Sequence, residues 1–343
     1  MNHSREQRKN DHLKLALNQT PPPQSDFDRV QFVHHSIPSI NTNEVDFKAS
    51  FSDLNIPDLL YINAMTGGSK WTGEINEKLA QVAKDTGTPM AVGSMHAAVK
   101  NSDVSDSYKI VRRINPNGQI WANVSADMDL EQSQKAIHMI EANALQIHVN
   151  APQELIMPEG SRTFKNWLTR IEKMVQAIDI PIIVKEVGFG MSYETIEKLM
   201  DIGIRYVDVS GKGGTNFATI ENQRRPLRNM DYLQDWGQST AISLLEARNF
   251  NNKVHILASG GIRHPLDAIK ALRLGAEAVG MSRNVLIQVQ NEGVEGAVEY
   301  IDSFKKQMKK IMTLLDAKTI AELRQSSVVL DPYLKNWMSQ RQL

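Results

Sequence analysis

A (β/α)8 barrel, the TIM-barrel class, is the fold this sequence predicts, and three features predict it. From about Leu59 a unit recurs eight times in which a short, β-branched apolar run leads through a polar or glycine-bearing turn into an amphipathic stretch. The runs are apolar throughout, as parallel strands buried on both faces are, instead of alternating. A doubly wound sheet usually has fewer strands than eight and begins with a glycine fingerprint.

Taken in order, the chain starts with a helix. Ser4 and Gln7 have capping-box spacing, and the helix runs to about Leu17, ahead of Pro21-Pro22-Pro23, whose rings cannot continue it. Residues 24–56 carry scattered turn formers and read as irregular chain lying on the barrel. The expected division is a 1–56 extension that contributes a substrate-binding lid, followed by a 57–343 barrel with a helical tail. Strands are placed at 59–64, 89–93, 120–124, 145–149, 181–187, 205–210, 254–258 and 277–281. Helices at 75–84, 131–141, 164–177, 194–200, 241–248 and 265–274 repeat apolar residues at i, i+3 or i+4, while 102–114 is only partly periodic. The connection at 211–238 is far longer than an ordinary βα loop, which points to a lid or binding segment. From about 285 the sequence reads as helical again, to wrap the barrel or to make a subunit contact.

Composition narrows the function. Among 343 residues, 39 basic side chains face 39 acidic ones, so there is no broad field for a nucleic acid and any anion must be held by a local cluster. The absence of cysteine removes thiolate nucleophiles, disulfides, thiolate zinc sites and cysteine-ligated iron–sulfur clusters. No stretch approaches the roughly 18 apolar residues of a membrane span, and the first dozen residues are charged and polar. A soluble cytoplasmic protein with no membrane partner is expected.

In such a barrel the chemistry sits at the C-terminal ends of the strands. These ends are polar or glycine: Met65-Thr66-Gly67-Gly68 after the first, Ser94-Met95-His96 after the second, Asn123 on the third, His148-Val149-Asn150 on the fourth. The fifth carries Lys185-Glu186, and the sixth runs into Ser210-Gly211-Lys212-Gly213-Gly214-Thr215-Asn216. The seventh ends in Ser259-Gly260-Gly261-Ile262-Arg263 and the eighth in Gly280-Met281-Ser282-Arg283. Glycine turns after the last two strands, each leading into a helix, let backbone N–H groups approach a phosphate, although such glycines also serve plain tight turns. Gly-Lys-Gly-Gly is a weaker signal, and its spacing is not that of a P-loop. Lys185 interrupts an apolar run, which points either to a polar pocket with a partner for its charge or to a strand that ends one residue earlier and leaves Lys185 in solvent; the pocket is the favoured reading. Glu154, after the fourth strand, suits Mg²⁺ if phosphates supply the other oxygens, though alone it reads as a surface residue. His148 reads equally as a hydrogen-bonded core histidine. Arg8 and His12 share a helical face beside Lys9, either a solvated face or phosphate donors on a lid.

These pieces, in this order, resemble the flavin-dependent type 2 isopentenyl-diphosphate isomerases. The likeness rests on Arg8-Lys9-x-x-His12, YINAMTGGS at 61–69, AVGSMHAA at 91–98 and LQIHVNAPQELIMPEG at 145–160. It continues through VKEVGFGMS at 184–192, DVSGKGGTNF at 208–217, WGQST at 236–240 and ASGGIRHP at 258–265. The resemblance spans Arg8 to about Leu323. It implies FMN at the barrel mouth, with its phosphate on Gly260, Gly261, Ile262, Met281 and Ser282. The isoalloxazine ring would then lie along Met65, Thr66, Gly67, Ser94, Asn123, Lys185, Ser210 and Thr215. The resemblance further implies a substrate diphosphate held by Arg8, Lys9, Ser94, Met95, His96 and Asn150, Mg²⁺ on Glu154, and Gln153 near the reacting carbons. His12, His148, Gln153 and Lys185 are the catalytic candidates it supplies. The implied reaction interconverts isopentenyl and dimethylallyl diphosphate in isoprenoid biosynthesis, with reduced FMN as acid–base cofactor and NADPH or NADH as reductant. A homotetramer or homo-octamer is implied as well.

Two rival readings share the barrel. A 2-hydroxy-acid oxidase or dehydrogenase needs the histidine base of a Ser-Asn-His-Gly-Gly motif, and the corresponding Ser210-Gly211-Lys212-Gly213-Gly214 has none. A non-catalytic flavin-binding sensor would have no need of Glu154, Gln153 and the Arg8-Lys9 pair together.

Overall fold

The computed structural model describes residues 2–20, 22, 24–47, 53–250 and 252–343. Helix α1 (Asn2–Asn18) and a 3-10 turn (Asp26–Arg29) precede a short strand, β1 (Val30–Phe32). The helix starts ahead of Ser4, which therefore lies inside its first turn; the Ser4 side chain is outside the described residues, as are Pro21 and Pro23.

Eight parallel strands then close into a barrel: β2 (Leu60–Ile62), β3 (Met90–Ala91), β4 (Ile120–Ser125), β5 (Ala144–His148), β6 (Ile182–Lys185), β7 (Tyr206–Asp208), β8 (His255–Ser259) and β9 (Ala278–Met281). Closure is the pairing of the last strand with the first, Leu60 against Val279 and Ile62 against Met281. All eight lie where the apolar runs place them. The helices between them are α2 (Lys70–Thr86), α3 (His96–Lys100), α4 (Asp106–Ile114), α5 (Leu130–Met139), α6 (Ala151–Ile156), α7 (Trp167–Ala177), α8 (Tyr193–Asp201), α9 (Phe217–Arg224), α10 (Thr240–Ala247) and α11 (Pro265–Arg273). Helix α2 shows how tightly the sequence sets such boundaries. The Ser69 hydroxyl accepts from Thr72 N–H at its start, and Gly87 ends it at φ 67°, a conformation costly for any residue with a Cβ.

Side chains alternate across the strands, which splits the core in two. Outward-facing residues such as Ile62, Val184 and Val279 join the helix faces, while Tyr61, Trp121, Ile183, Tyr206 and Leu257 fill the barrel. Leu54 and Ile56, just before β2, pack with the inner set and plug the N-terminal end. Truncating a buried residue such as Ile183 to alanine would cost about 2–5 kcal/mol.

The tail consists of α12 (Arg283–Leu314), bent where Gly293 takes φ 72°, then α13 (Ile320–Gln325), β10 (Val328–Leu330) and α14 (Pro332–Arg341). Within the 24–56 stretch, residues 24–47 are less irregular than their sequence suggests. Strand β1 pairs antiparallel with β10, Val30 against Leu330 and Phe32 against Val328. Arg29 donates to Asp331 at 2.6 Å beside that pair. Strand period alone carries no information about a partner so distant in the sequence.

Candidate active site

The strand ends and α1 enclose a cavity of about 1040 Å³, at the upper end of the roughly 300–1,000 Å³ of ordinary ligand pockets and wide enough for more than one small molecule. Its floor is polar because each strand ends there. Asp208, fully buried at the end of β7, accepts from Tyr61 Oη at 2.8 Å, Asn63 Nδ2 at 2.9 Å, Ser259 Oγ at 2.9 Å and the Ser210 N–H at 3.1 Å. Buried charge survives only when compensated in this way.

Lys185 is in register with Asp208 on one side and His148 on the other. Burial pulls its ammonium below the ordinary lysine range while Asp208 and Glu186 oppose the shift, and its Nζ donates to the Glu186 carbonyl at 2.7 Å. The Glu186 carboxylate turns away to accept from Val187 and Gly188 N–H at 2.6 and 2.8 Å and from Phe189 N–H. Burial nonetheless lifts it to about 7. His148 Nδ1 lies 2.9 Å from Asn123 Oδ1; an N–H at Nδ1 donating to that oxygen leaves Nε2 its lone pair. Burial, followed by the nearby Lys185, Lys9 and His96, pushes His148 down to about 3 and leaves the ring neutral near pH 7.

On one wall the glycine turns form an anion cradle. Gly260 and Gly261 take φ 86° and 73°, and a Cβ on Gly260 would overlap the Gly211 carbonyl. The Gly-Lys-Gly-Gly segment packs backbone to backbone on this turn, which is why it is built of glycine. Ser282 precedes α12 without capping it, so the first-turn N–H groups of that helix have no side-chain acceptor there. Arg263 is committed elsewhere, donating to Asp267 at 2.8 Å and Asp28 at 3.0 Å.

The roof is α1. Its Arg8 lies 3.5 Å from Glu159, and Lys9, beside Arg8, is pushed down to about 8 by burial and by that neighbouring cation. His12 Nε2 is 2.9 Å from Glu221 Oε1, which also accepts from Gln153 Nε2 at 2.8 Å, while Arg224 donates to Oε2. Burial alone would raise the Glu221 carboxyl, but His12, Gln153 and Arg224 hold it below its usual range. Asn150 Nδ2 donates to Gln153 Oε1 and to Glu154 Oε1, both at 3.1 Å, and Ser161 N–H donates to Glu154 Oε2 at 2.7 Å.

Among the residues singled out in the sequence, Arg8, Lys9, His12, Met65, Thr66, Ser94, His96, Asn123, His148, Asn150, Gln153 and Glu154 line this one cavity. So do Lys185, Ser210, Thr215, Gly260, Gly261, Ile262, Met281 and Ser282. Gly67 and Met95 do not. Met95 points into the core and is fully buried, and a Cβ on Gly67 would overlap the Tyr108 ring, whose Oη donates to Ser94 O at 2.7 Å. Both stand behind the wall, because the strand period stops predicting direction once the chain turns. Sequence reasoning missed Asp208, Asn63, Glu221 and Arg224. Asp208 and Asn63 interrupt apolar runs just as Lys185 does, whereas Glu221 sits in a helix with no apolar face to mark it.

Curated proteins show what this arrangement is similar to. An isopentenyl-diphosphate delta-isomerase from Staphylococcus haemolyticus is 56% identical over 339 residues, covering 99% of this chain and 97% of the relative. The chain belongs to the isopentenyl-diphosphate delta-isomerase family. A second member, from Staphylococcus saprophyticus, is 54% identical over 99% of this chain and 98% of its own. The family model for FMN-dependent dehydrogenase matches residues 148–330, from the end of β5 through β10. Among solved structures, the flavin-binding domain of baker's yeast flavocytochrome b2 has the same fold at TM-score 0.69 and 18% identity, covering 95% of this chain and 87% of that one. A mandelate oxidase mutant aligns at TM-score 0.66 and 16% identity, covering 96% and 98%. These likenesses show a shared barrel fold. Lys212, in Ser210-Gly211-Lys212-Gly213-Gly214, donates from Nζ to Asp235 O at 2.7 Å and is not part of the main cavity wall.

Proposed function

We propose that this protein interconverts isopentenyl and dimethylallyl diphosphate, with FMN on the cavity floor, Mg²⁺ at Glu154 and NADPH or NADH as reductant. The observation that carries this reading is the pairing of a charge-balanced floor with a basic roof. Arg8 and Lys9 hang over a cavity whose deep end holds the buried Lys185 ammonium, its charge balanced by the Asp208 carboxylate beside it, among otherwise uncharged polar groups, which suits a hydrocarbon tail bearing a diphosphate.

The fit to FMN rests on the uncapped α12 N-terminus and the Gly260-Gly261 turn for its phosphate, with Lys185 for negative charge on the ring. When bound and reduced, FMN supplies the acid–base chemistry of the double-bond shift. The protein's own groups do the rest. Arg8 and Lys9 hold the diphosphate, and closure of α1 keeps water from the reacting carbons. Neutral His148 offers its Nε2 lone pair without adding charge. Gln153 has both ends of its amide fixed, by Glu221 and Asn150, so it orients the reacting carbons instead of exchanging protons freely. His12 Nε2 stands 2.9 Å from the buried Glu221 carboxylate at the cavity edge.

Mg²⁺ fits a sparse protein site. Among the described residues no three His, Cys, Asp or Glu side chains cluster as metal ligands, so the ion would rest on Glu154, waters and substrate phosphates. Asn150 Oδ1, buried beside Glu154 with no partner among the described residues, suits an ion-bound water. The same reading includes a homotetramer or homo-octamer, for which exposed Leu227, Tyr232 and Trp236 on the 211–238 connection offer apolar surface. No helix among the described residues is long and apolar enough to cross a membrane.

The test is an anaerobic assay with FMN, NADPH, Mg²⁺ and isopentenyl diphosphate, with and without reductant. Reductant-dependent conversion without stoichiometric NADPH consumption is the expected result. A yellow protein that converts nothing would overturn the reading, and a screen of 2-hydroxy acids for flavin reduction would follow.

A further inference from the structure

The roof is attached at its C-terminal end by two side chains that the proposed reaction does not use. Arg283, the first residue of α12, turns its guanidinium onto the last turn of α1, where Nε donates to Ala16 O at 2.9 Å and Nη2 to Leu17 O at 3.2 Å and to Gln19 O. These carbonyls have no helical partner, and a cation there answers both their hydrogen-bonding need and the negative end of the helix dipole. Gln19 makes a two-sided bond on the opposite wall, its Nε2 donating to Asn216 O and its Oε1 accepting from Asn216 N–H, each at 2.8 Å. Asn216 is the N-cap of α9, the helix that carries Glu221. A third tie is lighter, Ser69 Oγ to Asn10 Oδ1 at 2.8 Å.

We infer that Gln19 and Arg283 are positioning residues, a two-point clasp that sets where Arg8, Lys9 and His12 enter the cavity and couples lid seating to loading of the anion cradle. The coupling follows from a shared wall: Ser282 and Arg283 both line the cavity, so a phosphate held at that turn would sit in the same end of it as the guanidinium that holds α1. The cation then lies between helix carbonyls and an anion, and each stabilises its placement for the other. Gln19 carries no charge and binds only backbone, so its part is geometric. It keeps the C-terminal end of α1 at a fixed distance from α9 and so brings His12 within reach of Glu221. Preorganisation of this kind is felt mainly as ordering entropy that substrate need not supply. The clasp rests on the proposed reading only for its substrate.

The experiment compares flavin-loaded full-length wild type with Gln19→Leu, Arg283→Gln and Arg283→Lys, measuring amide hydrogen exchange along α1 with and without FMN, flavin content, and KM and kcat for isopentenyl diphosphate. In Gln19→Leu we expect wild-type flavin content, α1 exchange at least tenfold faster, KM raised at least tenfold and kcat changed less than threefold. Arg283→Gln should also abolish the extra α1 protection that FMN confers on wild type, and Arg283→Lys, reaching fewer carbonyls, should fall between. Unchanged α1 exchange and KM in both Gln19→Leu and Arg283→Gln would overturn the clasp. Faster exchange spread over the barrel strands with loss of flavin would overturn it too, since the residues would then hold the fold and not the lid. A wild type that turned over no isopentenyl diphosphate would sink the proposed function, while the exchange data would still decide the clasp.

Discussion

Lys185 on the floor and His12 in the roof line one cavity, yet they are held there by different means. Lys185 is placed by strand register, with its neighbours in the ring of strand ends fixed by the ladder and its charge answered by a carboxylate that four other groups already satisfy. His12 is placed by side chains alone, reaching Glu221 across more than half the chain. The floor is therefore fixed by the barrel itself, whereas the roof is tied to it by side-chain contacts, among them buried Leu13, whose local release would leave the barrel ladder intact. On the proposed reading, charge on the floor serves the chemistry and charge in the roof serves capture.

The sharpest way to break this contrast is to remove the floor's cation. Lys185→Ala should lower anaerobic turnover by about 10²–10³-fold, the usual worth of one preorganised electrostatic group, with hydrogen exchange in α1 unchanged. The same experiment on the roof should look different. Glu221→Ala strips the acceptor from His12, Gln153 and Arg224, at a local cost of about 3 kcal/mol, and should lower turnover about 10²-fold while speeding α1 exchange. If its thermal midpoint fell as far as that of a core truncation, the roof would not be a separately opening unit. Glu154→Gln should weaken apparent Mg²⁺ affinity roughly tenfold or more and leave the protein yellow, as read from Mg²⁺ titrations of turnover. The smallest effect at neutral pH belongs to Lys9. Its folded value of about 8 means the binding cation is lost as pH rises through 8, so kcat/KM for the diphosphate should fall on the alkaline side. Lys9→Arg, which keeps its charge at high pH, should flatten that limb; an unchanged limb would assign it to another group.

The same contrast explains what could be read in the sequence. Strands, strand order and cavity-facing strand ends were legible because burial on two faces leaves a continuous apolar run and any polar interruption stands out, as Lys185 does. Asp208 and Asn63 carried the same mark inside VDVS and YINA and would have been found by applying that argument evenly. The roof was legible only in part. Arg8, Lys9 and His12 showed as a helical face, but what they meet depends on chain distant in sequence, and neither Glu221 nor Gln19 has a local pattern to betray it. Met95 and Gly67 mark the limit from the other side, since a motif position says nothing of which way a side chain turns beyond the last paired residue.

The pairing of β1 with β10 has a consequence for the order in which the protein can be made. Strand β1 lies between α1 and the barrel in sequence, and its partner, residues 328–330, follows the last barrel strand. All eight barrel strands are synthesised before it. A nascent chain therefore possesses its floor before the segment that joins α1 to the barrel gains its strand partner. A chain stopped short of Val328 would leave β1 unpaired however well its barrel had folded, with α1 still tied to the barrel through Arg283 and Gln19.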